Sequence, residues 1–294
     1  MTVTTGIFFA FVAMFCWGIG DFLIQKTSRK IGDWETLFTV SFVGSLMLAP
    51  FVWKGLVDVV VGKDILTMLI LAGCGLVFLL GSLLDFESLK VGKISVVESV
   101  WSAEIVVSAL LAYFILSEGL NMQQIALVTT LIVGLIMVSI KDKIGFSIRK
   151  LFLEKGVFVA FCAAIAMGIA NFMVGLGARA SDPVVIYFFI SVVCLVFSVC
   201  YLLYNNLLHK TVIDIKNNPK LILSMSVMDN IAWIAFAFAM SLAPIGIVVA
   251  LSESYIIISV ILGITVSKEK LKTHQKIGLL LALFGALTLA IITV

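Results

Sequence analysis

The chain has 294 residues, of which 62% are hydrophobic and 13% charged, with a mean hydropathy of +1.21. Soluble domains carry roughly 25% charged residues, so this composition excludes a soluble domain and sets much of the surface against lipid. The formal charge of +3 comes from basic residues scattered over short loops, a distribution that offers nucleic acid no basic patch.

Apolar runs bounded by Gly, Pro and charge clusters predict helices near 5–26, 35–53, 65–88, 94–115, 121–140, 156–178, 184–205, 220–241, 245–266 and 273–294. Each run is long enough to cross a hydrocarbon core of about 30 Å at 1.5 Å per residue. The expected fold class is therefore an all-α membrane protein with ten transmembrane helices. Met1 to Thr5 lacks the basic stretch of a cleavable leader, so the first run is expected to remain in the membrane. Cys16, Cys74, Cys162, Cys194 and Cys200 stand singly within apolar runs and read as small core side chains, with no metal and no cofactor expected. Pro244 suits the start of the ninth helix, where a missing amide donor costs nothing, and Trp34 and Trp53 fit an interfacial aromatic belt. The glycine pair at Gly73 and Gly75 is no phosphate loop, because no Gly-Lys-Ser/Thr follows it.

The segment 141–155 is polar and basic and reads as a linker between halves, 1–140 and 156–294. Laying Gly6–Arg29 on Gly156–Arg179 at an offset of 150 gives 9 identities in 24 pairs and sets Asp21 opposite Asn171. At an offset of 151, Ser117-Glu118-Gly119-Leu120 falls on Lys268-Glu269-Lys270-Leu271, Gln124 on Gln275 and Gly134 on Gly285. The halves read as duplicates of five helices each. An odd count sends the second copy into the membrane from the opposite side, giving two inverted five-helix repeats. Inverted repeats are how many secondary transporters alternate access around a midplane site; a duplicated structural or enzymatic membrane protein is the other reading.

Particular motifs carry a family resemblance over essentially the entire chain. Trp17-Gly18 in the first helix, the fourth helix ending FILSEGL (114–120) and its counterpart TVSKEKL (265–271) after the ninth resemble the drug/metabolite transporter superfamily, in its EamA-like ten-helix branch. Fourteen residues before Glu118, Glu104 matches the family's glutamate of a Glu-Pro pair in helix four. Here Ile105 replaces that proline, Tyr255 and Ile256 hold the matching places of the second half, and Gly119 stands where a basic residue often follows the Gly-Glu motif. The resemblance implies a secondary carrier, by default an exporter, of a small organic metabolite or drug-like compound.

A charge at the bilayer centre costs about 2.5–3.5 kcal/mol on insertion scales, so it faces a cavity or a partner. By that criterion Glu104, Glu253 and the pair Asp229-Asn230, near the middles of helices four, nine and eight, are the main candidates for a substrate or coupling cavity. At 100° per residue, Trp101 lies between Glu104 and Glu98, and Trp233 stands one turn from Asp229 and Asn230. Such polar-aromatic stripes suit a compound with an apolar body and a polar or cationic group. Tyr255, Asp21 and Asn171 complete the candidate set, Asp21 lying roughly 9 Å from the middle of its helix by rise. Any of Glu104, Glu253 and Asp229 is a candidate to exchange a proton during transport; the alternative is that these acids bond neighbouring helices and fix packing. Asp85, Glu87, Lys90, Lys93 and Glu98 lie near one membrane face, as a charged gate or as a solvated helix end.

Odd-numbered loops carry 17 basic residues and even-numbered loops 3, namely Lys54, Lys63 and Arg179. The positive-inside rule places the odd loops in the cytoplasm and both termini outside, whereas relatives of the resembled family usually keep their termini inside. The expected partners are a small-molecule substrate, membrane lipid and a proton; the sequence leaves oligomeric state undetermined. A channel or a non-transporting membrane receptor or structural protein is the alternative, and no HExxH, serine-based or Walker motif points to an enzyme or an ATP-driven pump.

Overall fold

The computed structural model describes residues 2–62, 65–91, 100–139, 155–258, 261 and 271–294. Among the described residues the regular structure is helical: α1 (Val3–Ile31), α2 (Asp33–Gly62), α3 (Ile65–Val91), α4 (Ala103–Leu116), α5 (Met122–Ser139), α6 (Lys155–Ala180), α7 (Pro183–Tyr204), α8 (Leu208–Asn217), α9 (Pro219–Leu242), α10 (Ile245–Ser252) and α11 (Thr273–Thr293). Eight of these are long and apolar enough to span a membrane, and α4 and the stretch Ile245–Ile258 are shorter apolar helices, which together match ten crossings. The linker expected at 141–155 lies outside the described residues apart from Lys155, and so do Lys93 and Glu98.

Several boundaries differ from the expected ones for identifiable reasons. Helix α1 runs to Ile31 and closes at Gly32, whose φ of 115° is open to glycine and whose N–H bonds the Ser28 carbonyl at 2.9 Å. Pro50 lies within α2 without ending it. Asp182 caps α7, accepting from the Val184 N–H at 2.7 Å ahead of Pro183. Between α7 and α9, where the sequence placed no crossing, stands the ten-residue α8. It is too short to cross. It buries Thr211, while Val212 and Ile213 are exposed beside Lys210 and Lys216, the pattern of a helix lying in a membrane interface.

The fourth and ninth predicted crossings are interrupted. In the first repeat a turn at Ser102 precedes α4, and in the second α10 breaks at Glu253-Ser254 before resuming to Ile258. The break in α10 tightens the backbone without abandoning it: Glu253 N–H bonds Val249 O at 2.8 Å and Ser254 N–H bonds Leu251 O at 3.2 Å. Non-helical backbone at membrane depth is tolerated only where protein or water surrounds it. Here α10 meets that condition, since all eight of its residues are buried and it touches α1, α4, α5, α6, α9 and α11.

The helices pack across the duplication. α1 lies along α9 and α3 along α6; α2 pairs with α7, α4 with α10 and α5 with α11; α4 meets α6 as α10 meets α1, and α3 meets α7 as α9 meets α2. Exchanging the two halves turns each of these pairings into another of them or into itself. That is the signature of two repeats related by a two-fold axis, and with five crossings each the repeats are inverted. Close approach is needed most at α5–α11. A Cβ on Gly134 would stand 2.7 Å from the Gly278 carbonyl oxygen and 2.9 Å from Ala282 Cα, and one on Gly278 would stand 2.7 Å from the Gly134 carbonyl oxygen. Backbone meets backbone there, as small residues allow in membranes.

Gly134→Leu is therefore expected to lower the thermal unfolding midpoint in detergent, with an overpacking cost of about 1–3 kcal/mol. The control Gly119→Ala, whose nearest neighbour to a new Cβ is a Tyr113 ring carbon at 3.7 Å, leaves the midpoint in place; intrinsic fluorescence on heating reads both.

Candidate functional site

Two buried polar clusters lie within the bundle, each where helices of opposite repeats meet. The first joins the two interrupted helices. Glu104, in the first turn of α4, is buried, and Glu253 sits in the break of α10. The two acids are near enough to interact. Asn171 of α6 donates from Nδ2 to Glu104 Oε2 at 3.3 Å, and its Oδ1, fully enclosed, has no hydrogen-bond partner among the described residues. Asp85 of α3 is close enough to Glu253 for the two charges to interact directly. This close contact depends on Gly168: a Cβ there would stand 3.0 Å from the Glu104 carbonyl oxygen, so a larger residue would push α6 off α4.

The second cluster surrounds Asp229 of α9. Its carboxylate lies against the indoles of Trp17 in α1 and Trp233 in α9. Those rings meet edge to face with centroids 4.8 Å apart; Phe78 of α3 meets Trp233 at 4.7 Å, Phe236 meets Trp17 at 5.1 Å, and Tyr187 of α7 lies nearly parallel to Trp233 at 6.2 Å. Edge-to-face contacts at these separations are favourable beyond the area they bury. Asn230 is a knot beside them. Its Oδ1 accepts from Tyr187 Oη at 3.0 Å, and its Nδ2 donates to the Val40 carbonyl at 3.1 Å and the Ser226 carbonyl at 2.7 Å. Both amide hydrogens are thus taken by protein, and Asn230 ties α9 to α2 and α7.

The clusters are contiguous through α1 and α3. Phe78 and Asp85 lie seven residues apart on α3, two turns or about 10 Å along one side. Next to Trp17, Gly18 packs so tightly on the segment after Glu253 that a Cβ there would be 3.1 Å from the Tyr255 carbonyl oxygen.

The structure brings together Glu104, Glu253 and Asn171 as one group and Asp229, Asn230 and Trp233 as another. Tyr255 is partly buried directly after the break, and Trp101, just before α4, has its Nε1 enclosed without a partner among the described residues. Asp21 belongs to α1, but its side chain is outside the described part of the structure, as is that of Lys90, and Glu98 is outside it altogether. Asp85, read from sequence as part of a gate or of a solvated helix end, is near enough to Glu253 for their charges to interact. Phe78 and Tyr187 were not legible as members of the site: in an apolar run, one aromatic reads like another until its neighbours are known.

A third group stands at the face of the even-numbered loops. Arg179, at the end of α6, donates from Nε to the Met240 carbonyl and from Nη2 to the Ala243 carbonyl, each at 2.9 Å, and from Nη1 it forms an ion pair with Glu118. The other oxygen of Glu118 accepts from the Ile245 N–H at 3.0 Å, satisfying an orphan donor at the start of α10. One guanidinium thereby closes the ends of α9 and α6, the loop after α4 and the start of α10 on each other. By sequence Arg179 was one of three loop cations and Glu118 part of a motif; their mutual contact was not expected.

This architecture agrees with what comparison finds. The model of the EamA-like transporter family matches the chain twice, at residues 4–140 and 154–291, and the chain belongs to that family. It is accordingly a multi-pass membrane transporter of small molecules, and its surroundings are lipid. No curated protein matches the sequence significantly. The fold is shared with a protein of known crystal structure at a TM-score of 0.70, covering 98% of this chain and 97% of the other at 14% identity.

The Arg179 latch predicts a measurable coupling. In a double-mutant cycle of Arg179→Ala and Glu118→Ala, followed by unfolding in detergent, each single variant is destabilised and the pair couples by about 1 kcal/mol, the scale for a half-exposed ion pair. Strict additivity would mean that the two groups do not act together.

Proposed function

We propose that the protein is a secondary active carrier, working as an exporter, for a small organic metabolite or drug-like compound, and that it exchanges this compound for protons at Glu104 and Glu253. The observation that carries the reading is the burial of Glu104 at the start of α4, bonded by Asn171 of the opposite repeat, beside the break of α10 that holds Glu253. Two acids brought together inside the bundle are costly to hold ionised at once, so in this reading the pair has one exchangeable proton. They stand at the breaks of the two equivalent helices, the place where inverted-repeat carriers bind substrate and coupling ion, with Asp85 the further acid that faces them. A substrate that competes for this pair releases the proton, and a proton that returns releases the substrate. The site thus holds one or the other, which is the requirement for exchange. Asp229 with Trp17 and Trp233 forms the apolar and aromatic side of the same cavity in this reading, and Asn230 positions Tyr187. The repeats 1–140 and 156–294, joined by the basic linker 141–155, supply the helices of the two units that alternate. Their helices interdigitate, so the moving bodies contain helices of both.

The test uses purified protein in liposomes with a pH-sensitive dye inside and an acidic lumen. Amino acids, sugars, nucleosides, amines and organic acids are added outside one class at a time. At least one class is expected to dissipate the gradient saturably and only with protein present. Glu253→Gln and Glu104→Gln are each expected to abolish that coupling. Saturable substrate flux with unchanged proton movement in both variants would remove these acids from the mechanism, and non-saturating flux would favour a channel.

The same reading places the carrier in the cell membrane with the basic odd-numbered loops in the cytoplasm and both termini outside. A reporter active only in the cytoplasm is expected to be silent when fused after Val294 and active when inserted in the 141–155 segment. The reverse pattern would set the termini inside.

A further inference from the structure

Away from the buried acids, one corner of the odd-loop face gathers cations from three helices. Lys30, at the end of α1, donates from Nζ to Asn218 Oδ1. Asn218 joins α8 to α9: its N–H and its Nδ2 both bond the Asp214 carbonyl at 3.0 Å, and its own carbonyl accepts from the Ile222 N–H at 3.1 Å. Lys216 and Lys220 stand on either side of it in the chain. All three lysines are exposed, and none is paired with an acid among the described residues.

The orientation of α8 adds to this cluster. At 100° per residue, Thr211 and Asp214 share one side of the helix, and that side meets protein, since Thr211 is buried and Asp214 Oδ2 is enclosed. The opposite side carries His209 and Lys216, flanked by the exposed Val212 and Ile213. Tyr204 at the end of α7 and Leu223 one turn into α9 are exposed as well, so α8 lies at the level where two spans leave the membrane. The first repeat has no counterpart, because there only residues 63–64 separate α2 from α3. The inverted-repeat fold therefore does not require α8.

We infer that this corner is a binding site for an anionic phospholipid, with the phosphate among Lys30, Lys216 and Lys220 and the acyl chains against Val212 and Ile213. A lysine ammonium binds phosphate as a point charge, its stem runs along apolar surface while the charge stays at headgroup level, and basic clusters beside membrane spans attract acidic lipid. Charge and apolar surface together select the ligand. A free phosphate leaves Val212 and Ile213 uncovered, and a zwitterionic headgroup brings its own cation to the lysines. The lipid would brace α1 of one repeat against α8 and α9 of the other.

The full-length protein in a neutral detergent is titrated separately with dioleoylphosphatidylglycerol, dioleoylphosphatidylcholine, glycerol phosphate and polyglutamate, and the thermal unfolding midpoint is followed. Phosphatidylglycerol is expected to raise the midpoint saturably, and each of the other three to need at least about tenfold more for the same rise. Lys216→Gln combined with Lys220→Gln is expected to weaken phosphatidylglycerol at least about tenfold. Lys216→Arg combined with Lys220→Arg keeps both charges and retains binding, which separates a lost site from a folding defect. Lys54→Gln combined with Lys276→Gln removes the same charge from exposed positions on α2 and α11 and leaves binding in place. Equal loss in that control would mean diffuse attraction without a site, and equal stabilisation by phosphatidylcholine would remove the role of charge; either overturns the inference. Equal stabilisation by glycerol phosphate would make this a site for a soluble phosphate, and by polyglutamate one for an acidic protein segment, and either of these overturns the lipid assignment.

Discussion

Hydrocarbon offers no hydrogen bonds, so a chain within it must satisfy its own backbone, and a departure from helical geometry has to be wrapped in protein. The two interrupted helices sit where that condition can be met. α10 has every residue buried and neighbours from both repeats, and it is paired with α4, its counterpart in the duplication. Once the breaks are confined to the centre, the charges follow, because Glu104 and Glu253 stand at those breaks and a lipid-facing position would cost each of them several kcal/mol. The same burial that permits irregular backbone thus collects the acids.

The interdigitated packing has a mechanical consequence. In a protein whose halves formed separate bundles, alternating access would slide one smooth surface over another. Here α1 lies along α9 and α3 along α6, so the proposed change of access would carry helices of both repeats together, with contacts between such mixed groups breaking and reforming. The Arg179–Glu118 ion pair is of the right kind for this: it is half exposed, worth little in stability, and yet it joins the ends of α6, α9 and α10 at one face. Asn230 is of the other kind. Its amide is wholly engaged with α2, α7 and its own helix, which suits a joint that stays closed. Asp229, one residue away, has its carboxylate against two indoles and is the polar member of an otherwise aromatic wall.

Much of the fold was legible in the sequence. The ten apolar runs, the repeat at offsets of 150 and 151 and the odd number of helices per half sufficed for an inverted duplication. Glu104, Glu253 and Asp229 stood out because a charge in an apolar run needs an explanation whatever surrounds it. Asn171 was found only through its alignment with Asp21, and the nearness of Asp85 to Glu253 was not legible because its helix ends in charged residues that resemble a solvated terminus. α8 was missed because ten mixed residues between two spans carry no signal of length, and its role depends on an interface that sequence does not mark.

What the sequence determined by itself is everything that depends on one segment and its solvent: which stretches cross, how often, in which relative direction, and where charge is out of place. What the tertiary structure alone decided is which helix faces which. Lipid tails are as apolar as leucine, so a helix shows nearly the same residues to lipid and to its neighbours, and the amphipathic stripe that orients helices in water is absent. The meeting of Glu104 with Glu253 across the two repeats, the enclosure of Asn171 Oδ1 and the reach of Arg179 from α6 to α9 and Glu118 are matters of packing between helices, as at Gly168, where α6 comes close to the Glu104 backbone.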